Sequence, residues 1–273
     1  SISRIMSALT VLSSSNKSID VIYDDLNNSN YNDLDFIKNN LSNKSEFNKV
    51  GTLDIENIGF NYPNKKNIIK NVSFTVKTGE IVGLIGQSGS GKSTLVDLII
   101  GILEINKGSI KYNSKSIFLN INGWKKMIGY VPQEIYLTDE SIANNIAFGE
   151  DHLNINKEKI IALLKSLNLY EFVLSLPNGL DTKVGERGIQ ISGGQLQRIG
   201  IARALYHDPS IIILDEATSA LDEGNEDLII NQINKFRKNK IIIIVSHKYN
   251  SVKICDRIYK LDNGILNLKK LNG

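Results

Sequence analysis

Four stretches of this 273-residue chain carry side chains suited to one kind of chemistry. Gly86 to Thr94 reads GQSGSGKST and fits the pattern G-x-x-x-x-G-K-[ST]. Glycines at such spacing let backbone N–H groups turn inward around phosphate oxygens; the lysine neutralises β/γ-phosphates and the following hydroxyl ligates Mg²⁺. Gly86, Ser88, Gly89, Ser90, Gly91, Lys92, Ser93 and Thr94 are therefore expected to hold a nucleotide. Ile211 to Glu216 is an apolar run ending in two carboxylates. Asp215 is expected to hold Mg²⁺ through water, and Glu216 to orient and deprotonate an attacking water. A DE pair after an apolar run is, by itself, usually a charge pair at a helix start; with the phosphate loop upstream, the catalytic reading wins. Ile191 to Arg198 reads ISGGQLQR, in which Ser192, Gly193, Gly194 and Gln195 open a helix and form a second anion site. His247 follows the apolar run Ile241–Val245 as a candidate polar sensor; a lone histidine at a strand end is by itself usually structural. Together these point to hydrolysis of a nucleoside triphosphate.

Chemistry of this kind needs strand ends to position it. Glu80–Gly86 is a short apolar run ending in glycine, the way a buried parallel strand feeds a loop. Lys92 to Leu103 is apolar at helical spacing directly after it. Leu53, Ile55, Ile58 and Phe60, then Val72, Phe74 and Val76, are strand-like; so are Ile110 to Leu119, Ile128 to Val131, Ile211–Leu214, Ile241–Val245 and Ile258–Leu261. Asn156 to Leu169 and Gly194 to Tyr206 read as helices. Strands alternating with helices predict a mostly parallel sheet covered on both faces.

Composition bounds the reading without deciding it. Hydrophobic residues at 41% and charged residues at 22% are ordinary for a globular chain. A net charge of +3 with no basic cluster does not argue for nucleic acid, which is not expected as a partner. No apolar run approaches the roughly 18 residues that span a bilayer. The single cysteine, Cys255, excludes an internal disulfide framework and reads as a small buried hydrophobe in a reducing compartment. Residues 1–50 differ from the rest, with Ser and Asn supplying 19 of them. Ile2, Ile5, Met6, Leu9 and Leu12 recur at helical spacing. The segment reads as a polar tail, or as the end of a helix descending from an upstream domain, with a polar linker from Asp24 to Lys49. The chain opens without an initiator methionine, and it is expected to be part of a longer protein.

With the phosphate loop and the DE strand end in place, Ile191–Gln195 resembles the LSGGQ signature of ATP-binding cassette (ABC) proteins, with Ile for Leu at the first position. The resemblance runs over residues 51–273. It implies that Tyr62, in FNYP, stacks on adenine; by itself Tyr62 also suits a strand tyrosine before a turn proline. It implies that Gln133, in YVPQ, senses Mg²⁺ and the water, that His247, in VSHK, contacts the γ-phosphate, and that Ser219–Asp222 communicates across a dimer. Catalysis is then assigned to Glu216, His247, Gln133 and Lys92, and metal binding to Ser93, Gln133 and Asp215. The nucleotide set gains Tyr62, Gln133 and Ser192 to Gln195, the last four serving the ATP of a second identical chain.

Two segments resemble ABC exporters in particular: Thr182 to Gly188, similar to TEVGERG, and Ser141 to Gly149, similar to I-x-x-N-I-x-F-G. Within the exporters, SISRIMSAL and SIDVIYDDL are similar to lipid-linked oligosaccharide and polysaccharide flippases. The fold class implied is α/β: an ABC nucleotide-binding domain with a RecA-like core, an antiparallel β subdomain and a helical subdomain at about 135–191. The organisation implied is 1–50 as the end of a membrane-domain helix with its linker, and 51–273 as the ATPase domain. The implied cofactors are ATP and Mg²⁺. The implied partners are its own transmembrane domain and a second copy, at the cytoplasmic face of the inner membrane. The alternatives are an importer-type subunit and a soluble ABC ATPase; the two exporter-like segments favour the exporter.

Overall fold

Three runs of β-branched residues set the frame. In a computed structural model of the chain, which describes Tyr23 and residues 47–63, 65–185, 191–217 and 223–269, these runs become β3 (Ile81–Ile85), β7 (Ile211–Asp215) and β8 (Ile241–Ser246). Every residue of β7 and β8 is buried, as expected for parallel strands covered on both faces. They lie in a six-stranded sheet of order β10-β9-β3-β8-β7-β6, with β6 at Ile128–Val131, β9 at Arg257–Asp262 and β10 at Ile265–Lys269. All neighbours pair in parallel except β10 with β9.

The register carries the functional consequence. Ile85 pairs with Ser246, and Asp215 with Val245, so β3, β7 and β8 end at one level. Gly86, Glu216 and His247 each follow directly. In an open parallel sheet that carboxyl edge is where ligands bind.

A second sheet of order β2-β1-β4-β5 is antiparallel: β1 (Thr52–Tyr62), β2 (Lys65–Lys77), β4 (Lys107–Tyr112) and β5 (Lys115–Ser116). The run Ile110 to Leu119, expected as one strand, is broken. Asn113 and Ser114 take φ of 50° and 63°, which a primed two-residue hairpin turn requires, and Ile117–Asn120 closes into a 3₁₀ turn.

Helix α1 (Lys92–Ile100) is shorter than the expected Lys92 to Leu103. Gly101 ends it in the left-handed conformation at φ 79°, and a Cβ there would lie 2.3 Å from Ile121 Cδ1. Helix α2 (Ile121–Lys126) follows, and its Trp124 donates from Nε1 to the carbonyl of Ile99 at 2.8 Å. Four further helices are α3 (Ile142–Ile146), α4 (Lys157–Ser166), α5 (Tyr170–Ser175) and α6 (Gly193–Tyr206). Asn156 to Leu169 thus loses a residue or more at each end, where Asn156 caps α4 by accepting from Lys159 N–H. Helix α7 (Glu223–Asn234) lies between β7 and β8 in the chain.

Side chains alternate across the parallel sheet. Ile211, Ile213, Ile241 and Ile243 face one core, shared with the antiparallel sheet and α1. Ile212, Leu214, Ile242 and Ile244 face the other, shared with α3 to α7. Cys255 is buried in that second core, and burial pushes its thiol up to about 12. The compact unit begins at Ser45: Phe47 packs edge-on against Tyr112 and Trp124, with ring centroids 6.1 and 5.7 Å away. Among the described residues no helix is long and apolar enough to cross a membrane.

Candidate active site

The loop from β3 to α1 is built without side chains where it must curl. A Cβ on Gly86 would lie 2.5 Å from the Leu261 carbonyl and 2.6 Å from Ser90 Oγ. Gly91 takes φ 104°, and a Cβ there would press within 3.1 Å of the Ile68 carbonyl. Gly91 is also the N-cap of α1, and no side chain caps that helix. The first N–H groups of α1 are therefore left for a ligand, at the positive end of the helix dipole. Ser90 Oγ is buried without a hydrogen-bond partner. A loop crowded against Cβ atoms at Gly86 and Gly91, an uncapped helix start and an unpartnered buried hydroxyl together suit phosphate oxygens.

Lys92 is buried and its Nζ donates to the carbonyls of Gly86 (3.0 Å) and Gln87 (3.1 Å). The same ammonium lies 3.4 Å from Glu216 Oε1, while the other oxygen of that carboxylate lies 3.1 Å from His247 Nδ1. Glu216 sits at φ 49°, a left-handed conformation that costs a non-glycine residue about 1 kcal/mol or more. Its N–H donates to the Val245 carbonyl (2.9 Å), so β8 holds it there. Strain kept in place by two strands, with Lys92 and His247 on its carboxylate, is a common mark of a functional residue.

Asp215 is buried, and burial raises its carboxyl pKa above the ordinary range; a hydrogen bond from Tyr130 Oη (3.2 Å) acts the other way, and the Glu216 charge adds to the rise. The Tyr130 phenol is held far above its usual range by burial and by Asp215. Tyr130 was not among the candidates from sequence. The signal for it was the strand ending YVPQ, whose neighbour in the parallel sheet turns out to be β7.

Tyr62, Ser88, Gly89, Gly91, Lys92, Ser93, Thr94, Gln133, Glu216 and His247 line one open cavity of about 590 Å³, joined by Ile68 from β2. Tyr62 Oη is 3.4 Å from Thr94 Oγ1, and its ring stands edge-on to Phe60. Gly86, Ser90 and Asp215 do not line the cavity: Gly86 borders a neighbouring cavity with His247, and Asp215 ends β7.

Ser192, Gly193, Gly194 and Gln195 do not line this cavity. They open α6 as a capping box: Ser192 Oγ accepts from Gln195 N–H (3.4 Å), and Gln195 Oε1 accepts from Ser192 N–H (3.0 Å). Ser192 and Gly193 are exposed, and a Cβ on Gly193 would meet nothing within 4 Å. The two exporter-like segments meet each other. Ile142 N–H donates to the Thr182 carbonyl (3.0 Å) and Val184 N–H to the Glu140 carbonyl (3.0 Å). Asn145, fully buried, is bound by Arg203 of α6 through both its carbonyl (2.7 Å) and its side-chain oxygen (2.9 Å). Glu186 to Gly188 and Ser219 to Asp222 lie outside the described residues, as does the segment Ile2 to Leu12.

The chain matches the sequence profile of the ABC transporter family over residues 69–219. It is 38% identical over 231 residues to an export ATP-binding/permease protein of Rickettsia bellii, covering 84% of this chain and 40% of that protein. It is 37% identical over 234 residues to the ATP-dependent lipid A-core flippase of Haemophilus influenzae, covering 85% and 40%. Among solved structures it is similar to a bacterial Atm1-family ABC exporter with ATP bound, at a TM-score of 0.73 and 33% identity, covering 81% of this chain and 39% of that one. The chain spans about two fifths of the length of these relatives. Profile, relatives and a cavity built for phosphate agree: the chain belongs to the ABC transporter family and folds as its ATP-binding, ATP-hydrolysing domain.

Proposed function

We propose that this domain powers an exporter or flippase, working as a head-to-tail pair of identical chains with two ATP molecules between them. The observation that carries the chemistry is Glu216, whose carboxylate stands at the cavity between Lys92 Nζ and His247 Nδ1. ATP brings phosphate charge into that place. Lys92 then turns from Glu216 to the β/γ-phosphates, together with the loop N–H groups and Ser90. Glu216, released from the lysine, accepts the proton of the attacking water, and His247 donates to the terminal phosphate. Tyr62 lies at the mouth for the adenine ring.

Ser93, Gln133 and Asp215 suit Mg²⁺. Among the described residues no three His, Cys, Asp or Glu side chains form a metal cage, which matches an ion that keeps its waters and shares substrate phosphates. Bound there, the ion supplies charge neutralisation between the phosphates. Asp215 is kept in place for it by Tyr130.

The exposed start of α6 supports a second copy as partner: its Ser192–Gln195 turn lies outside this chain's own cavity and is left to close the partner's. The chain has both faces, so two-fold pairing gives two equal sites. Residues 1–50 and the joined segments at 141–149 and 182–188 support an attached membrane domain, with this domain at the cytoplasmic face of the inner membrane. The relatives named as export permeases and a lipid A-core flippase favour outward transport. Light scattering of Glu216→Gln with and without ATP tests the pair; an unchanged mass at high protein concentration refutes it. For the exporter, Glu186→Lys should reduce transport by the full-length protein in liposomes more than it reduces this chain's ATPase rate. Equal losses would favour a soluble ATPase instead.

A further inference from the structure

Beneath His247 lies a buried polar chain that the hydrolysis described above does not use. Lys248 N–H donates to Ser246 Oγ (2.9 Å), and Ser246 Oγ donates to Ser251 Oγ (3.0 Å). Ser251 Oγ donates in turn to Glu226 Oε1 in a short hydrogen bond. Ser246 ends β8, Ser251 lies in the 3₁₀ turn Asn250–Val252, and Glu226 lies in the first half of α7. All three side chains are buried, with Ser251 at 0% and Glu226 at 2% exposure.

The chain grips both neighbours of His247, one by side chain and one by backbone, and leaves the imidazole half-exposed with its Nδ1 on Glu216. Two hydroxyls in series need an acceptor at the far end, and the Glu226 carboxylate supplies it. Without that acceptor the two hydroxyls lose their tie to α7, and the turn is free to shift. We propose that Glu226 is a positioning residue for ATP hydrolysis, holding the turn at Ser246–Lys248 so that His247 meets the terminal phosphate. The proposal rests on the role given to His247 above. Helix α7 is anchored separately by Ile229, Ile230 and Ile233, so the loss of Glu226 should shift the turn rather than unfold the helix.

The test is steady-state Mg-ATP hydrolysis by the 273-residue chain, with a double-mutant cycle. Glu226→Ala should lower kcat by about tenfold, since small misplacements of a catalytic group carry losses of that order, with KM little changed. Glu226→Gln, whose amide oxygen still accepts, should restore most of it. In a His247→Ala background, Glu226→Ala should add no further loss. If Glu226→Ala is poorly folded by thermal melting, Ser251→Ala breaks the same chain at its middle hydroxyl and is tested in the same cycle. A crippled His247→Ala to which Glu226→Ala adds its full loss would overturn the positioning role alone. A His247→Ala chain with unchanged turnover would instead overturn the role of His247, and the proposal with it.

Discussion

Two glycine-rich turns in this molecule each feed the start of a helix, and they are built in opposite ways. The turn into α1 has no side-chain cap, has Gly86 and Gly91 whose Cβ positions crowd backbone carbonyls, and hides a lysine under its own carbonyls. The turn into α6 is capped in both directions by Ser192 and Gln195, is exposed, and has open space around Gly193. The first is incomplete without an anion. The second is satisfied as it stands and carries no charged side chain from Ser192 to Gln195. A preformed charged receptor and a neutral, self-capped helix end differ in what they can do alone: the first can bind nucleotide within one chain, whereas in the pairing proposed above the second would add to the partner's site.

The contrast can be broken by substitution, and the largest effect belongs to the charged side. Glu216→Gln should lower turnover by about 10²–10⁴-fold, the usual loss of a general base. ATP should still bind, because Lys92 and the loop N–H groups remain. Turnover and nucleotide titration on the same sample check this, and near wild-type turnover would remove Glu216 from the mechanism.

Lys92→Ala should weaken both binding and turnover. Hydrogen bonds to charged groups contribute about 1.5–3 kcal/mol, which corresponds to a loss of about 10- to 100-fold in ATP affinity. Unchanged affinity by calorimetry would mean that the cradle works through its backbone alone.

Ser192→Ala sharpens the comparison from the other side. It removes the α6 N-cap, at a cost of about 1 kcal/mol in stability. Single-chain affinity for ATP should stay as it is, while turnover at high protein concentration falls. A drop in single-chain affinity would show that the two turns are not separate.

The smallest effect concerns the frame that delivers the charged turn. Asp256 Oδ2 accepts from Ile81 N–H (2.8 Å) at the base of β3 and pairs with Arg237 (2.7 Å). Burial raises its pKa, but the Ile81 hydrogen bond and Arg237 outweigh it and hold the carboxyl below its ordinary range. A carboxylate depressed in the folded state stabilises the fold above its unfolded pKa of about 3.9, and that contribution is lost as pH falls through the folded value. Asp256→Asn should therefore melt about 2–4 °C lower at neutral pH for each kcal/mol lost. The gap to the parent should close in acid. A gap that persists once acid has protonated the carboxyl in both states would mean that the carboxylate charge is not what anchors β3.

Local rules carried much of this molecule. Ile128–Val131 is the strand β6 as read, and Ile241–Val245 lies in β8. The phosphate loop sits between a strand and a helix, as its glycines demand. Local reading failed where a turn hid inside an apolar run: Asn113-Ser114 was passed over between Ile110 and Leu119, and Gly101 inside Lys92 to Leu103. Both carried turn-forming residues, but a periodicity of apolar side chains continues across a change of direction and gives no warning of it.

Residue types and short spacings were enough for the chemistry of the parts: a cradle at Gly86–Thr94, carboxylates at a strand end, a histidine after another, and a helix start at Ser192. These follow from backbone permissiveness and side-chain type over a few neighbouring residues. Which of these parts meet follows from how the strands and helices pack. Parallel register brings Gly86, Glu216 and His247 to one edge, and places Glu216 between Lys92 and His247. It left Ser192–Gln195 outside the cavity, seated Tyr130 on Asp215, and ran Ser246, Ser251 and Glu226 into one buried chain. Such contacts join residues far apart in sequence. They are fixed by sheet order and by packing into two cores, which no short window of the chain contains.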